Sequence, residues 1–230
     1  MAVAGALRAK ALRVHQLLLE HYGPPALKEQ RAPLDELVLT ILSQNTADTN
    51  SGRAWVSLRE RFPSWHQVLS ADVADIEDAI RVGGLAHIKA TRIQRILKTL
   101  EARGDLDLSF LADLPLEEAR SYLSALPGVG PKTTACVLLF SLHKPALPVD
   151  THVHRVARRV GLVPPRSSAE KAHVLLEELL PEETYYPFHL NVIRHGRQVC
   201  KASKPRCDAC PLGVECDHFA KQELIVVTKG

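Results

Sequence analysis

Apolar side chains recur every three or four residues along most of the chain, the spacing of one buried face on a helix. Leu7, Ala11, Val14 and Leu18 form such a face near the N-terminus, and Gly23 followed by Pro24 and Pro25 predicts its end. The same spacing predicts helices over Leu34 to Ser43, Asp72 to Arg81 and His87 to Arg103, with Gly83-Gly84 and Gly104 as stops for the last two. Ser167-Ser168-Ala169-Glu170 has the spacing of a capping box, which makes Ser167 the expected cap of a helix running to Leu180. Strict alternation and Asn-Gly hairpin turns are missing. The chain is therefore expected to be all-α, with about ten short helices.

Composition narrows the class without changing that picture. Of 230 residues, 46% are hydrophobic and 24% charged, ordinary values for a globular chain; aromatics at 5% leave the core to aliphatic packing. The longest apolar stretch, Ala135 to Leu142, is far short of the ~18 residues that span a bilayer, so no membrane association is expected. Arg8, Lys10 and Arg13 without an acid faintly resemble an organelle presequence, but one face of a helix is the better account of that segment.

Charge is more telling. The net charge of +3 conceals a basic second half. Arg120, Lys132, Lys144, Arg155, Arg158, Arg159 and Arg166 fall in a segment whose only acid is Asp150, and Arg194, Arg197, Lys201, Lys204 and Arg206 fall in one with no acid. This is the electrostatic footprint of a nucleic-acid binder.

Within it, Leu126-Pro127-Gly128-Val129-Gly130-Pro131-Lys132 separates two helical segments. Gly128 and Gly130 permit positive φ and close backbone approach, and Pro131 suits the first position of a helix. The N–H groups of such a turn, Val129 included, favour an anion such as a DNA phosphate and read no particular base. Lys132 sits where the helix half-charge repels an ammonium, which would favour a neutral, nucleophilic amine. Asp150, in Val149-Asp150-Thr151-His152, precedes a helix. It is expected to cap that helix, and a carboxylate so aimed could also accept a proton or stabilise positive charge developing on a sugar. Five cysteines and no secretory signal argue against a disulfide scaffold. Cys136 stands alone in an apolar helix and reads as core. Cys200, Cys207, Cys210 and Cys216 supply four thiolates in one loop, a set that zinc and an iron–sulfur cluster both accept. Lys204 and Arg206 lie within it, so the metal would shape a phosphate-binding loop.

Taken together, the Leu126–Lys132 hairpin, the Val149–His152 motif and the four cysteines at gaps of six, two and five resemble the endonuclease III family of helix-hairpin-helix DNA glycosylases. The resemblance covers nearly the whole chain. It implies a six-helix barrel domain over residues 26–143 and an iron–sulfur domain made of residues 1–25 plus 144–230, with the substrate cleft between them. It implies a [4Fe–4S] cluster on the four cysteines, Lys132 as the amine that attacks C1′ and eliminates the 3′ phosphate, and Asp150 as the essential carboxylate. The expected partner is double-stranded DNA with damaged bases or abasic sites, bound by a monomer, in the cytoplasm and nucleoid if bacterial and in the nucleus or an organelle otherwise.

In that family two loops fill the space left by the extruded base; here they match Leu42 to Asp48 and Gly83 to Lys89, with Leu85 as the apolar wedge and His152 near Asp150. Three positions depart from the family pattern. Asn45 stands where Gln is usual, so either Asn45 or Gln44 is the polar plug, and Gly83 and Ala86 replace bulkier residues, which predicts a thinner wedge. The expected activity is bifunctional glycosylase and lyase on oxidised pyrimidines. The alternatives are a glycosylase of the same superfamily for mispaired or alkylated bases, and a DNA-binding scaffold with little catalysis.

Overall fold

A computed structural model describes residues 2–27, 30–104 and 106–221. Among the described residues there is no strand, and eleven α-helices follow one another: α1 (Ala2–Tyr22), α2 (Pro33–Leu42), α3 (Asp48–Arg61), α4 (Trp65–Ser70), α5 (Val73–Ile80), α6 (Ala86–Arg103), α7 (Leu116–Ser124), α8 (Pro131–Phe140), α9 (Thr151–Val160), α10 (Ala169–Leu179) and α11 (Tyr185–Gln198). A short helical segment at 217–221 follows. No helix is long and apolar enough to cross a membrane among the described residues.

The chain divides into two compact units, Glu29–Lys144 and Met1–Lys28 with Pro145–Gly230. The first holds α2 to α8. Its core is aliphatic: Leu37 and Ile41 of α2, Leu58 of α3, Ile76 and Ile80 of α5, Ile93 and Leu97 of α6, and Leu138 of α8 are fully buried. The α2–α8 and α5–α6 pairs pack most extensively. In the second unit, Ala11, Val14 and Leu18 of α1 pack with α11, whose Phe188 and Val192 are buried. On α9, Val153, Val156, Ala157 and Val160 form an apolar stripe at i, i+3, i+4 and i+7. Lys10 and Arg13, on the other side of α1, pair with Asp217 and Glu215 of the cysteine-bearing segment, each at 2.6 Å.

Local chemistry corrects the sequence reading at several points. Ser168, not Ser167, caps α10: its Oγ accepts from the Lys171 amide at 3.1 Å, whereas Ser167 Oγ donates back to the Pro164 carbonyl at 2.7 Å and closes the preceding turn. The capping box does not form, because Lys171 stands at its third helical position and has no acceptor to return. Helix α5 runs into a 3-10 turn (Arg81–Gly83), and Gly84 at φ +67° makes the stop. Helix α3 is not evident from periodicity, since its buried stripe is Ser51, Ala54 and Leu58.

Candidate active site

The hairpin joins α7 to α8. Gly128 takes φ +76°, the left-handed conformation that favours glycine, and Gly130 is the extended N-cap with Pro131 at the first helical position. The first intrahelical bond runs from the Thr134 amide to the Gly130 carbonyl, so the amides of Gly130, Lys132 and Thr133 precede the helical ladder and face outward from it. Val129 departs from its predicted role as a phosphate donor. Its amide donates to the Leu126 carbonyl at 3.1 Å and its side chain is buried, so it anchors the turn. Lys132 is half-buried in the first turn of α8, at the positive end of the helix.

The two loops matched to base extrusion lie in the same unit. Asn45 and Leu85 are exposed at their tips, both in the left-handed region (φ +54° and +49°). Asparagine tolerates this conformation, but for leucine it costs on the order of 1 kcal/mol, and such strain gathers at functional positions. Leu85 and Ile88, three residues apart within the loop matched over Gly83 to Lys89, are half-exposed apolar side chains. Gly83 does not belong to the exposed wedge at all. It is buried against α3, where a Cβ would come within 3.1 Å of the Ala54 methyl, so close packing accounts for the glycine. Gln44 is also withdrawn, held between Arg92 (2.7 Å) and Thr133 (3.3 Å), which leaves Asn45 at the tip.

One residue clips both loops. Lys89 of α6 is 2% exposed, and its Nζ donates to the Leu42 carbonyl at 2.7 Å and the Gly83 carbonyl at 2.9 Å, three and two residues before the loop tips. Burial holds its pKa below the usual lysine value, and Arg92 lowers it further. In a sequence a lysine on a helix reads as solvated surface, so this role had no signal. Lys89→Met keeps the apolar stem and leaves two buried carbonyls without donors. A loss of about 3 kcal/mol is expected, roughly 10 °C in Tm by thermal circular dichroism. An unchanged Tm would show that the clip contributes nothing.

In the other unit, Asp150 is the N-cap of α9, its Oδ1 accepting from the Val153 amide at 2.7 Å. The strap leading to it is clamped. The Leu147 amide donates to Glu177 Oε1 at 2.8 Å, and the Leu147 and Pro148 carbonyls accept from the Nδ1 of His173 and His189 at 2.9 and 2.8 Å. Those histidines are structural, as is His154, whose Nε2 bonds the Ser167 carbonyl. His152 lies 3.0 Å from Arg155 through Nδ1; burial lowers its pKa, which the Asp150 charge partly offsets.

All four cysteines of the 200–216 loop line one cavity, with Arg159 and Phe219 among its other walls. Arg159 Nη1 donates to Cys200 Sγ at 3.4 Å and to the Lys201 carbonyl at 2.6 Å, and His195 Nε2 lies 3.5 Å from Cys210 Sγ. Burial pushes the Cys210 thiol up to about 11, and burial with the neighbouring thiols raises Cys207. Among the described residues, no three or more His, Cys, Asp or Glu side chains gather closely enough to hold a metal ion; the thiols ring the cavity. The donor set, four sulfurs lining one cavity with an Arg159 N–H aimed at Cys200 and the His195 ring beside Cys210, fits an iron–sulfur cluster. Lys204 and Arg206 are exposed on this loop. Part of the predicted basic face is spent internally: Arg155 bonds the Gly196 and Cys200 carbonyls, Arg159 the loop, and Lys144 the Leu114 carbonyl.

Comparison with known proteins identifies the family. Residues 38–182 match the model of the HhH-GPD superfamily of base excision DNA repair proteins. A candidate DNA glycosylase of Arabidopsis thaliana is 43% identical over 80% of this chain and 66% of its own length. Endonuclease III of Thermotoga maritima is 34% identical over 86% of this chain and 89% of its own. The chain spans just under two thirds of the Arabidopsis relative and only 9 to 16% of the long plant proteins it also matches. A solved structure of a non-covalent endonuclease III–DNA complex superposes with a TM-score of 0.82 at 27% identity, covering 94% of this chain and 98% of that one. With a glycine-bounded hairpin, a helix-capping aspartate and a four-cysteine loop carried on an all-helical frame, the chain belongs to the HhH-GPD superfamily of base excision DNA repair proteins and, within it, to the endonuclease III family.

Proposed function

We propose that the protein is a bifunctional DNA glycosylase and abasic-site lyase that removes oxidised pyrimidines from duplex DNA. The observation that carries this reading is Lys132, a half-buried amine in the first turn of α8, directly after two exposed glycines. The Gly130, Lys132 and Thr133 amides suit a backbone phosphate, which fixes the register of the duplex without reading bases. Leu85 and Ile88 supply apolar surface to enter the stack, and Asn45 a polar tip to face the orphan base. Extrusion costs a few kcal/mol, less for a damaged pair.

The Lys132 amine attacks C1′ as the C1′–N bond breaks, and the base departs with the bonding electrons and a proton given up by the amine. Positive charge on the sugar is stabilised by Asp150, whose Oδ2 is left over by the cap. Loss of O4′ from C1′ gives a Schiff base, removal of a C2′ proton expels the 3′ phosphate, and water then frees the lysine. Cys200, Cys207, Cys210 and Cys216 would hold a [4Fe–4S] cluster whose part is to order the loop bearing Lys204 and Arg206.

Borohydride reduction with an abasic duplex tests the lyase step: a covalent protein–DNA adduct is expected. A protein that binds the duplex yet yields no adduct would be a binding scaffold. A panel of duplexes with thymine glycol, dihydrouracil, mispaired thymine and alkylated adenine tests the substrate. Release from the last two alone would favour the superfamily's other chemistry. Visible absorbance with iron and sulfide analysis checks the cluster.

A further inference from the structure

Arg92 lies one turn beyond Lys89 on α6 and reaches two parts of the machinery at once. Its Nη1 donates to Gln44 Oε1 at 2.7 Å. Its stem passes directly under the hairpin, where a Cβ on Gly128 would come within 2.8 Å of Arg92 Nε and 3.1 Å of its Cδ. Gly128 is required for its positive φ, and any Cβ there would also push the Arg92 guanidinium out of its place. An amide has one accepting and one donating end. With Oε1 committed to Arg92, Gln44 turns Nε2 to Thr133 Oγ1, 3.3 Å away. Thr133 follows Lys132 in the first turn of α8. A guanidinium, an amide and a hydroxyl thus run from the hairpin to the 43–47 loop and back to the lysine's turn.

Among the described residues no carboxylate pairs with Arg92, so its directional bond goes to a neutral amide in an extrusion loop. The fork is what permits this. Nη1 points to Gln44 while Nε stays under Gly128, and a lysine has a single head that cannot do both. Lys89 fixes the bases of the two loops, and Gln44 is the next point along, one residue before the exposed Asn45.

We propose that Arg92 is a positioning residue for base extrusion: by holding Gln44 it keeps Asn45 in the posture that fills the vacated stack. This rests on the glycosylase reading above. It assigns Arg92 to the extrusion step, ahead of the attack by Lys132.

Two measurements on Arg92→Met separate these steps. In the first, 2-aminopurine stands opposite a tetrahydrofuran site, which cannot be cleaved, and stopped-flow fluorescence at saturating protein follows insertion against the orphan base. In the second, the end-point yield of borohydride trapping on a natural abasic duplex, read after extrusion is complete, follows the amine. Loss of one charge-assisted hydrogen bond is expected to slow the first about tenfold, whereas the second falls by less than about threefold, with unchanged far-UV circular dichroism. Should Arg92→Met fail to fold, Gln44→Met removes the acceptor and leaves Arg92 under Gly128, and the same split is expected. Where both fold, the double variant is expected to be no slower than the slower single. Equal losses in both measurements, or no loss in the first, overturn the proposal. A parent protein silent in both would overturn the glycosylase and lyase reading instead.

Discussion

Lys132→Ala is expected to abolish the borohydride-trapped adduct while the chain stays folded. The side chain leaves the first turn of α8 half-buried, and no backbone group of the hairpin depends on its ammonium for a hydrogen bond among the described contacts. A cation at a helix N-terminus is unfavourable by about 0.3–1 kcal/mol, and alanine is the best helix former, so stability should hold or rise slightly. Removal of a nucleophile leaves no covalent path, and a fall of at least ~10³-fold in single-turnover strand nicking follows. Duplex affinity should drop by much less, because the Gly130 and Thr133 amides remain. An adduct that survived in the variant would point to another amine. Lys144 is a poor substitute, since its Nζ is engaged at 2.6 Å by the Leu114 carbonyl.

Which parts of this site could be seen beforehand follows from how each residue signals. The hairpin turn and the Asp150 cap depend on backbone chemistry that only a few residue types supply, so spelling and structure coincide there, and the spaced cysteines come to line one cavity. Helix α3 escapes notice because Ser51 and Ala54 stand where larger apolar residues would reveal a stripe. Gly83 looks like a thinned wedge until Ala54 is found against it. Lys89, Arg92, Arg155 and Arg159 carry the broadest lesson. Each reads as solvated charge or as part of a DNA-facing patch, yet each is turned inward to carbonyls, an amide or a thiol contributed from 6 to 48 residues away. Nothing local marks those partners, because they are backbone oxygens and two side chains, the Gln44 amide and the Cys200 thiol, brought close only by packing. The choice between Ser167 and Ser168 turns on where the extended residue before α10 falls: it is Ser168, while Ser167 closes the preceding turn.

Asp150→Asn tests whether the carboxylate does more than cap α9. Asparagine caps as well as aspartate does, and its amide oxygen can accept from the Val153 amide where Oδ1 now does at 2.7 Å. The Leu147–Pro148 strap keeps its clamps to Glu177, His173 and His189, so the side chain's position should be preserved. Tm is thus expected to stay within a degree or two. Only the negative charge and the ability to take a proton are lost, and for a group that stabilises a cationic sugar a fall of about 10²–10³ in base release is expected. Asp150→Ala completes the comparison. It lacks the cap as well and should lose about 1 kcal/mol of stability beyond the asparagine variant, with a similar fall in rate. Wild-type rates in Asp150→Asn, with destabilisation confined to Asp150→Ala, would reduce the residue to its cap. Slow base release in both, with only the alanine variant melting early, separates the charge from the hydrogen bond within one side chain.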